Sequence, residues 1–405
     1  TQGKGILNFP GFNFVHFNQS FGLPTDLVLN VNEDKSGNKF IGTYDRGLIQ
    51  WSEDGYNTID DENRTVWTSA MNVDGANWFG TGSGLVQVIN GKKVKNWKIK
   101  DGLLRDKVTC LLKLSNSKML IGGSGGIMMY DKGKITVLQD NDKEDIGTIR
   151  NLCYFKDQLY IASDKGFHFL YKGALTIVSD FYRTTYSLAN FNDLYLWMGT
   201  EEGLFRYDGK SIEAVNYSVE PSSKFINFVN ISDDRVYLGT NNGLFVLSLD
   251  KKGEISTINH FGIQEGVVNL ETNLNSGFFD KEGNCWFGTA SGLVRFEGQD
   301  FEQTPYAPRL ILEKVLLNYK EMPLKQLGDN LKSLAYNKNN ISFNFDGISL
   351  SQPADLRYQY WLEGIEETWA PATTNTNPSY SALSPGTYKM HARAVGQKGI
   401  TSDEL

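Results

Sequence analysis

WFGTASGL at residues 286–293 is the last of seven versions of one phrase, and the repetition decides the fold. The others read FIGTYDRGL at 40–48, WFGTGSGL at 78–85, LIGGSGGI at 120–127, YIASDKGF at 160–167, WMGTEEGL at 197–204 and YLGTNNGL at 237–244. Each joins two apolar residues, Gly-Thr, a short polar stretch and Gly-Leu. The first small residue falls at Gly42, Gly80, Gly122, Ala162, Gly199, Gly239 and Gly288, at intervals of 38, 42, 40, 37, 40 and 49 residues. A period of about 40 residues built from short strands marks a blade of four strands in a β-propeller. Within each copy the strand ending in Gly-Thr turns tightly into the strand beginning Gly-Leu. The second Gly is expected to take the positive φ that such a hairpin needs.

Working outward, DKSGN at 34–38 and DKEGN at 280–284 are turn sequences, expected between first and second strands. FRYDGK at 205–210 and VRFEG at 294–298 alternate apolar and polar residues, as half-buried strands do. Seven copies predict seven blades. A ring of blades must also close. FNFVHFN at 12–18 alternates Phe12, Phe14 and His16 against Asn13, Val15 and Phe17. It is expected to be the outer strand of the last blade, which removes an exposed sheet edge. Trp78, Trp197 and Trp286 stand in the strands before Gly-Thr and are expected in the core.

The 405 residues suffice for two or three domains. Aromatics at 13%, with 41 Gly and 10 Pro, suit an all-β chain with many tight turns. The net charge of −7 excludes a general nucleic-acid binder, which needs a basic face. No stretch approaches the roughly 20 apolar residues that span a bilayer. The chain starts at Thr1 without the features of a signal peptide, so a leader is expected to have been removed or trimmed. Cys110, Cys153 and Cys285 sit in strand-like apolar contexts and are expected in the core.

The repeats occupy residues 1–303. TPYAPR at 304–309 reads as a linker, its prolines opposing helix and central strand. A second domain at 310–405 holds strand-like runs at 310–318, 341–345, 356–364 and 387–395, separated by turns such as SPG at 384–386. In the last run Tyr388, Met390, Ala392 and Ala394 face one way, and Lys389, His391 and Arg393 the other. The pattern predicts an immunoglobulin-like β-sandwich, with Tyr358, Tyr360 and Tyr388 in its core. No closing strand is evident after residue 395, and the natural protein is expected to continue past Leu405.

GLPTDLVLNVNEDKSGNKFIGTYDRGLIQW at 22–51 resembles the propeller repeat of two-component regulators. RYQYWLEG at 357–364, Trp369 and YSALSPGTYKMHARA at 380–394 resemble the Y_Y_Y domain that follows those propellers. The resemblance implies the periplasmic sensor region of a (hybrid) two-component histidine kinase. It also implies an oligosaccharide ligand, a homodimer formed through the Y_Y_Y domain, and a membrane anchor and output module beyond residue 405. YIASDKGF lacks Gly-Thr and the third copy has Gly-Gly; these departures weaken single blades, not the count.

The sequence carries no nucleophile elbow, phosphate loop or pair of histidines at metal-ligand spacing. His16, His168, His260 and His391 read as ordinary strand residues. No catalytic residue, metal or cofactor is expected. Two rival classes stand beside the sensor. One is a secreted carbohydrate-active propeller enzyme, a lyase or hydrolase with a pair of acids. The other is a protein-binding scaffold with a large apolar patch.

In a propeller, the connections into the innermost strands and the hairpins between second and third strands share one face around the channel. Such loops usually carry binding. Counting back from each Gly-Thr places Arg64, Arg105, Arg150, Arg183 and Lys224 in five consecutive connections. They are expected to form a cationic arc facing an anionic ligand, such as a uronate-containing or sulfated oligosaccharide, unless each pairs with an acid, as Arg105 would with Asp106. Tyr44 and Arg46 in one hairpin, and Trp67 and Tyr182 in or beside the connections, complete the candidate site by stacking on sugar faces.

Overall fold

A computed structural model describes residues 13–142, 145–217, 224–263, 266, 267, 269, 271–298, 307–323, 340–349, 356–396 and 399–405. The described residues up to 298 form one compact unit and those from 307 a second. The first is a seven-bladed β-propeller, seven antiparallel sheets of four strands each. Six sheets are sequential hairpins. The first, for example, runs Val28–Glu33, Lys39–Thr43, Leu48–Ser52 and Gly55–Asp60. The seventh combines Phe278–Phe279, Cys285–Thr289 and Gly292–Phe296 with Phe14–Phe17 from the other end of the unit. Phe12 lies outside the described residues. Phe17 stacks on Trp286 at 5.4 Å and Phe14 lies 5.7 Å from Phe261 of blade 6. The closing strand therefore packs on both faces.

The repeated phrase has two physical roles. Its second Gly adopts positive φ in all seven hairpins, from Gly47 at 73° to Gly84 at 141°. The Thr hydroxyl before the turn donates to that Gly's carbonyl: Thr81 to Gly84 at 2.8 Å, Thr200 to Gly203 at 2.8 Å, Thr289 to Gly292 at 3.1 Å. In YIASDKGF the role passes to Ser163, which donates to Gly166 at 3.1 Å. The first Gly exists for packing between blades. A Cβ at Gly42 would come within 2.8 Å of Val66, at Gly80 within 2.7 Å of Val108, and at Gly199 within 2.7 Å of Ile226. Each is a residue of the next blade's inner strand, so the missing side chain seats the neighbouring blade.

Trp78, Trp197 and Trp286 are buried as expected. Cys110 and Cys285 are buried and Cys153 half-buried, all free thiols. Burial raises each thiol, Cys110 to about 12 and Cys153 to about 11. Native protein is therefore expected to resist alkylation at neutral pH and to react at all three cysteines once denatured, as mass spectrometry would show.

The second unit pairs two sheets. Arg309–Leu317 lies between Lys320–Met322 and Ile341–Ile348, with Ser379–Tyr380 at the far edge. Arg357–Glu363 pairs with Lys389–Val395. Their facing sides bury Leu310, Val315, Phe343, Phe345, Tyr358, Tyr360, Ala392 and Ala394. This is the expected immunoglobulin-like sandwich, with two differences. Tyr388 stays half-buried outside that core, its hydroxyl donating to the Ser384 carbonyl at 2.7 Å. A further segment does follow residue 395: Val395 bridges Thr401, and Ala392 and Leu405 exchange backbone bonds at 3.1 and 3.0 Å. Its polar residues concealed it, because an edge segment needs backbone pairing more than apolar side chains.

Candidate functional site

The innermost strands stand side by side around the channel. Each is the edge of its sheet, so one row of its backbone groups has no ladder partner. In six blades this strand also bulges at its first step, where pairing skips one residue. The skipped residues are Leu29, Trp67, Thr109, Arg150, Tyr186 and Asn227. They form one equivalent ring beneath the loops.

The seventh blade departs from this plan. Its inner strand shrinks to Phe278–Phe279, and the residues before it enter the channel. Asn275 adopts φ 50°. Its backbone N–H donates to the Asn227 carbonyl at 3.0 Å. Its side-chain amide donates to the carbonyls of Arg150 at 3.2 Å and Tyr186 at 2.8 Å, and accepts from Asn151 at 3.2 Å. One residue thus ties together the bulges of blades 4, 5 and 6. Asn273 reaches the other way, donating to the Val28 carbonyl of blade 1 at 2.6 Å. The extra residues of the 49-residue interval build a floor across the channel.

Above that floor the predicted residues sit at two levels. Arg150 and Trp67 belong to the bulge ring. Arg64, Arg183 and Lys224 lie three residues ahead of the ring position in their blades, and Arg105 lies four ahead. They line an outer rim. The five therefore do not form a single arc, because counting back from Gly-Thr crosses hairpins of unequal length.

Nor is the rim simply cationic. Arg105 binds both carboxylate oxygens of Asp142, at 2.8 and 3.0 Å, while Asp106 accepts from the Ile99 amide instead. Arg183 pairs with Glu202 and lies over Phe181 and Phe205. Arg150 donates through Nε to Asp164 at 2.6 Å. Arg46 lies 3.8 Å from its neighbour Asp45. Arg64 is exposed and makes no ion pair among the described residues; Lys224 is exposed. Tyr44 and Tyr182 are also exposed, at 55% and 67%.

Sequence reasoning missed Asp164, Tyr186, Asn227 and Asn275. Tyr186 and Asn227 are marked only by the bulge register, Asp164 only as a polar residue of the YIASDKGF hairpin, and Asn275 only by its reach across the channel. Burial acts to raise the Asp164 carboxyl, but the Arg150 guanidinium and the Thr148 amide outweigh it and hold the group below the usual range. Burial, then Glu201, pushes the Tyr186 hydroxyl up, so it stays neutral. Tyr186 also stacks on Phe225 at 4.9 Å. The Trp67 indole N–H is shielded from solvent and has no hydrogen-bond partner. Lys107 lies 5.7 Å from the same ring. The ring thus carries a charge-paired guanidinium, aromatic rings and, shielded beneath its surface, one donor without a partner. That combination suits a molecule with hydroxyls and apolar faces. Among the described residues, no group of His, Cys, Asp and Glu is arranged to hold a metal ion, and no helix is long and apolar enough to cross a membrane.

Residues 349–404 match the Y_Y_Y domain family. The match is to a Y_Y_Y domain and takes in the strands Arg357–Glu363, Ser379–Tyr380 and Lys389–Val395 of the sandwich. Across 97% of its length the chain is 23% identical to histidine kinase P4 of Formosa agariphila, and it spans 32% of that protein. An extracellular domain assigned to a one component system of B. thetaiotaomicron has a similar fold, with a TM-score of 0.56 at 16% identity. The likeness covers 98% of this chain and 57% of that one. A virginiamycin B lyase from Staphylococcus aureus also reaches 0.56, at 13% identity, over 70% of this chain and 98% of its own. At such identities these likenesses concern the fold: a propeller in each case, shared by sensors and by a lyase.

Proposed function

We propose that this chain is the ligand-sensing region of a membrane-bound two-component regulator, lying in the periplasm. It binds an oligosaccharide over the floored channel of the propeller and passes the signal through paired Y_Y_Y domains. The similarity to a histidine kinase and the Y_Y_Y match support the class. The observation that carries the site is the bulge ring, where Arg150 paired to Asp164, Tyr186 and the unpartnered Trp67 N–H stand at one level. A guanidinium shared with a carboxylate gives donors and acceptors side by side, as sugar hydroxyls require. The rim therefore fits neutral sugars, or sugars with few acidic groups, better than a polyanion. A micromolar ligand needs about −8 kcal/mol. Three or four charge-assisted hydrogen bonds at roughly 1.5–3 kcal/mol each supply that before ordering costs.

The mechanism is a population shift: ligand on the propeller favours one arrangement of paired Y_Y_Y domains. The likeness to a lyase keeps an enzyme as the second reading. Against it, His16 and His260 lie on outer strands, bonded to the carbonyls of Gly266 and Asn242, and His168 is buried in the third strand of blade 4.

Thermal-shift screening against neutral, uronate-containing and sulfated oligosaccharides is the test. At least one neutral member is expected to raise Tm. For that ligand, Trp67→Phe removes the indole N–H together with part of the ring face, and Arg150→Lys removes the planar fork. Each is expected to weaken binding about tenfold, the equivalent of one lost hydrogen bond. A panel that leaves Tm unchanged, or steady conversion of an oligosaccharide to product, would refute the reading.

A further inference from the structure

His391 belongs to the strand Lys389–Val395 of the Y_Y_Y domain. Its side chain is buried, stacked at 4.6 Å on Trp361 with Trp369 at its edge. Both ring nitrogens meet carboxylates. Nε2 lies 3.0 Å from Glu363 at the end of the neighbouring strand, and Nδ1 contacts Glu404 in the last segment. That segment lies along the strand by backbone bonds: Ser402 N–H to the Ala394 carbonyl at 2.9 Å, and the two-way pair between Ala392 and Leu405. The Ser402 hydroxyl accepts from the Ala394 amide at 2.9 Å.

A neutral imidazole has one N–H and one lone pair. It can donate to only one of two carboxylates and must turn its lone pair on the other. We infer that residues 401–405 are held by a proton-operated clasp, in which doubly protonated His391 bridges Glu363 and Glu404 and lets go of Glu404 when it loses a proton. Glu404 is the arm that yields. Glu363 belongs to a strand paired along its whole length with that of His391, whereas Glu404 sits in a segment at the edge.

The other charges nearby act in known directions. Hydrogen bonds to Glu404 and then Glu363 raise the imidazole above its ordinary value, while partial burial and Lys389 work against them. Arg393 lies over the Trp369 ring, 4.2 Å from its centre, and donates to Gln359, and Glu366 accepts from the Leu362 amide rather than from the histidine. A raised imidazole pKa gives stability that is fully present below about pH 6.5, the unfolded value, and that disappears as the pH climbs through the folded one. The clasp is therefore closed in acid and open in base. If signals pass through the Y_Y_Y domain, as proposed above, external pH would tune them. The clasp itself does not depend on that reading.

Amide hydrogen exchange tests it without any ligand. After correction for base catalysis, protection of the Ser402 and Leu405 amides is expected to fall about tenfold between about pH 6 and about pH 9, with the rest of the sandwich unchanged. His391→Gln should abolish that pH dependence. Should this variant fail to fold, Glu404→Gln leaves a half-exposed position and should move the loss of protection to lower pH, because one stabilising carboxylate has gone. Equal protection at both pH values in the unaltered protein, or an unshifted midpoint in Glu404→Gln, would overturn the clasp.

Discussion

Asn275→Ala is expected to destabilise the propeller by about 3 kcal/mol, the sum of two or three lost hydrogen bonds. The side-chain amide serves the carbonyls of Arg150 and Tyr186 and receives a bond from Asn151. Alanine leaves these groups facing one another across the channel floor. It must also hold the φ of 50° that asparagine tolerates and alanine resists. The two contributions separate. Asn275→Gly relieves the backbone but loses the same hydrogen bonds, so it should be less damaging than alanine by about 1 kcal/mol. Denaturant titration of the three proteins reads both differences. Wild-type stability in both variants would show that the floor is decoration and that blades 4, 5 and 6 hold their bulges unaided.

Gly288→Ala is expected to be at least as harmful, roughly 3 kcal/mol or more, with Tm falling by roughly 6–12 °C. The added Cβ would lie 2.1 Å from the Val28 carbonyl oxygen. Gly288 is in the last blade and Val28 in the first, so the clash falls where the ring closes. The obstacle is the backbone carbonyl beside the Leu29 bulge, already held by Asn273 at 2.6 Å, and it cannot swing aside as a side chain could. Gly133→Ala is the control. That glycine, unlike Gly288, has positive φ, but a Cβ there meets nothing within 4 Å. It should cost only about 1 kcal/mol. Equal melting temperatures for the two variants would mean that the first Gly of the repeat is not needed for seating the next blade.

Both residues show why some of this molecule could be read from the chain and some could not. Gly288 was visible in the sequence because its motif recurs. The chemistry that makes it necessary lies within a few residues of each copy and in the copy after it. Asn275 was not visible. It sits among ordinary polar residues, and its side-chain partners stand 89, 124 and 125 positions earlier in the chain. The 49-residue interval before Gly288 announced extra residues without saying that they enter the channel. The basic residues of the connections were found as types but misplaced as a set. A bulge shifts each inner strand by one step, and hairpins of different length blur the count. Arg150 consequently lies in the ring beneath the rim that Arg64, Arg105, Arg183 and Lys224 occupy. Asp142, Asp164 and Glu202 come from other loops, so their neutralising effect could not be seen along the chain.

By itself the sequence determined seven blades, the strand that closes them, the tryptophans at their centre and a sandwich to follow. Turn glycines, hydroxyl caps and alternation of apolar residues act over a few bonds and repeat. Only the tertiary structure decided the channel floor, the charge pairing of the rim, the ring of Trp67, Arg150 and Tyr186, and the histidine gripped by two carboxylates. These depend on groups far apart in the chain meeting at hydrogen-bond distance. Such meetings are set by the curvature of the ring and the pairing of strands, not by neighbours in the sequence.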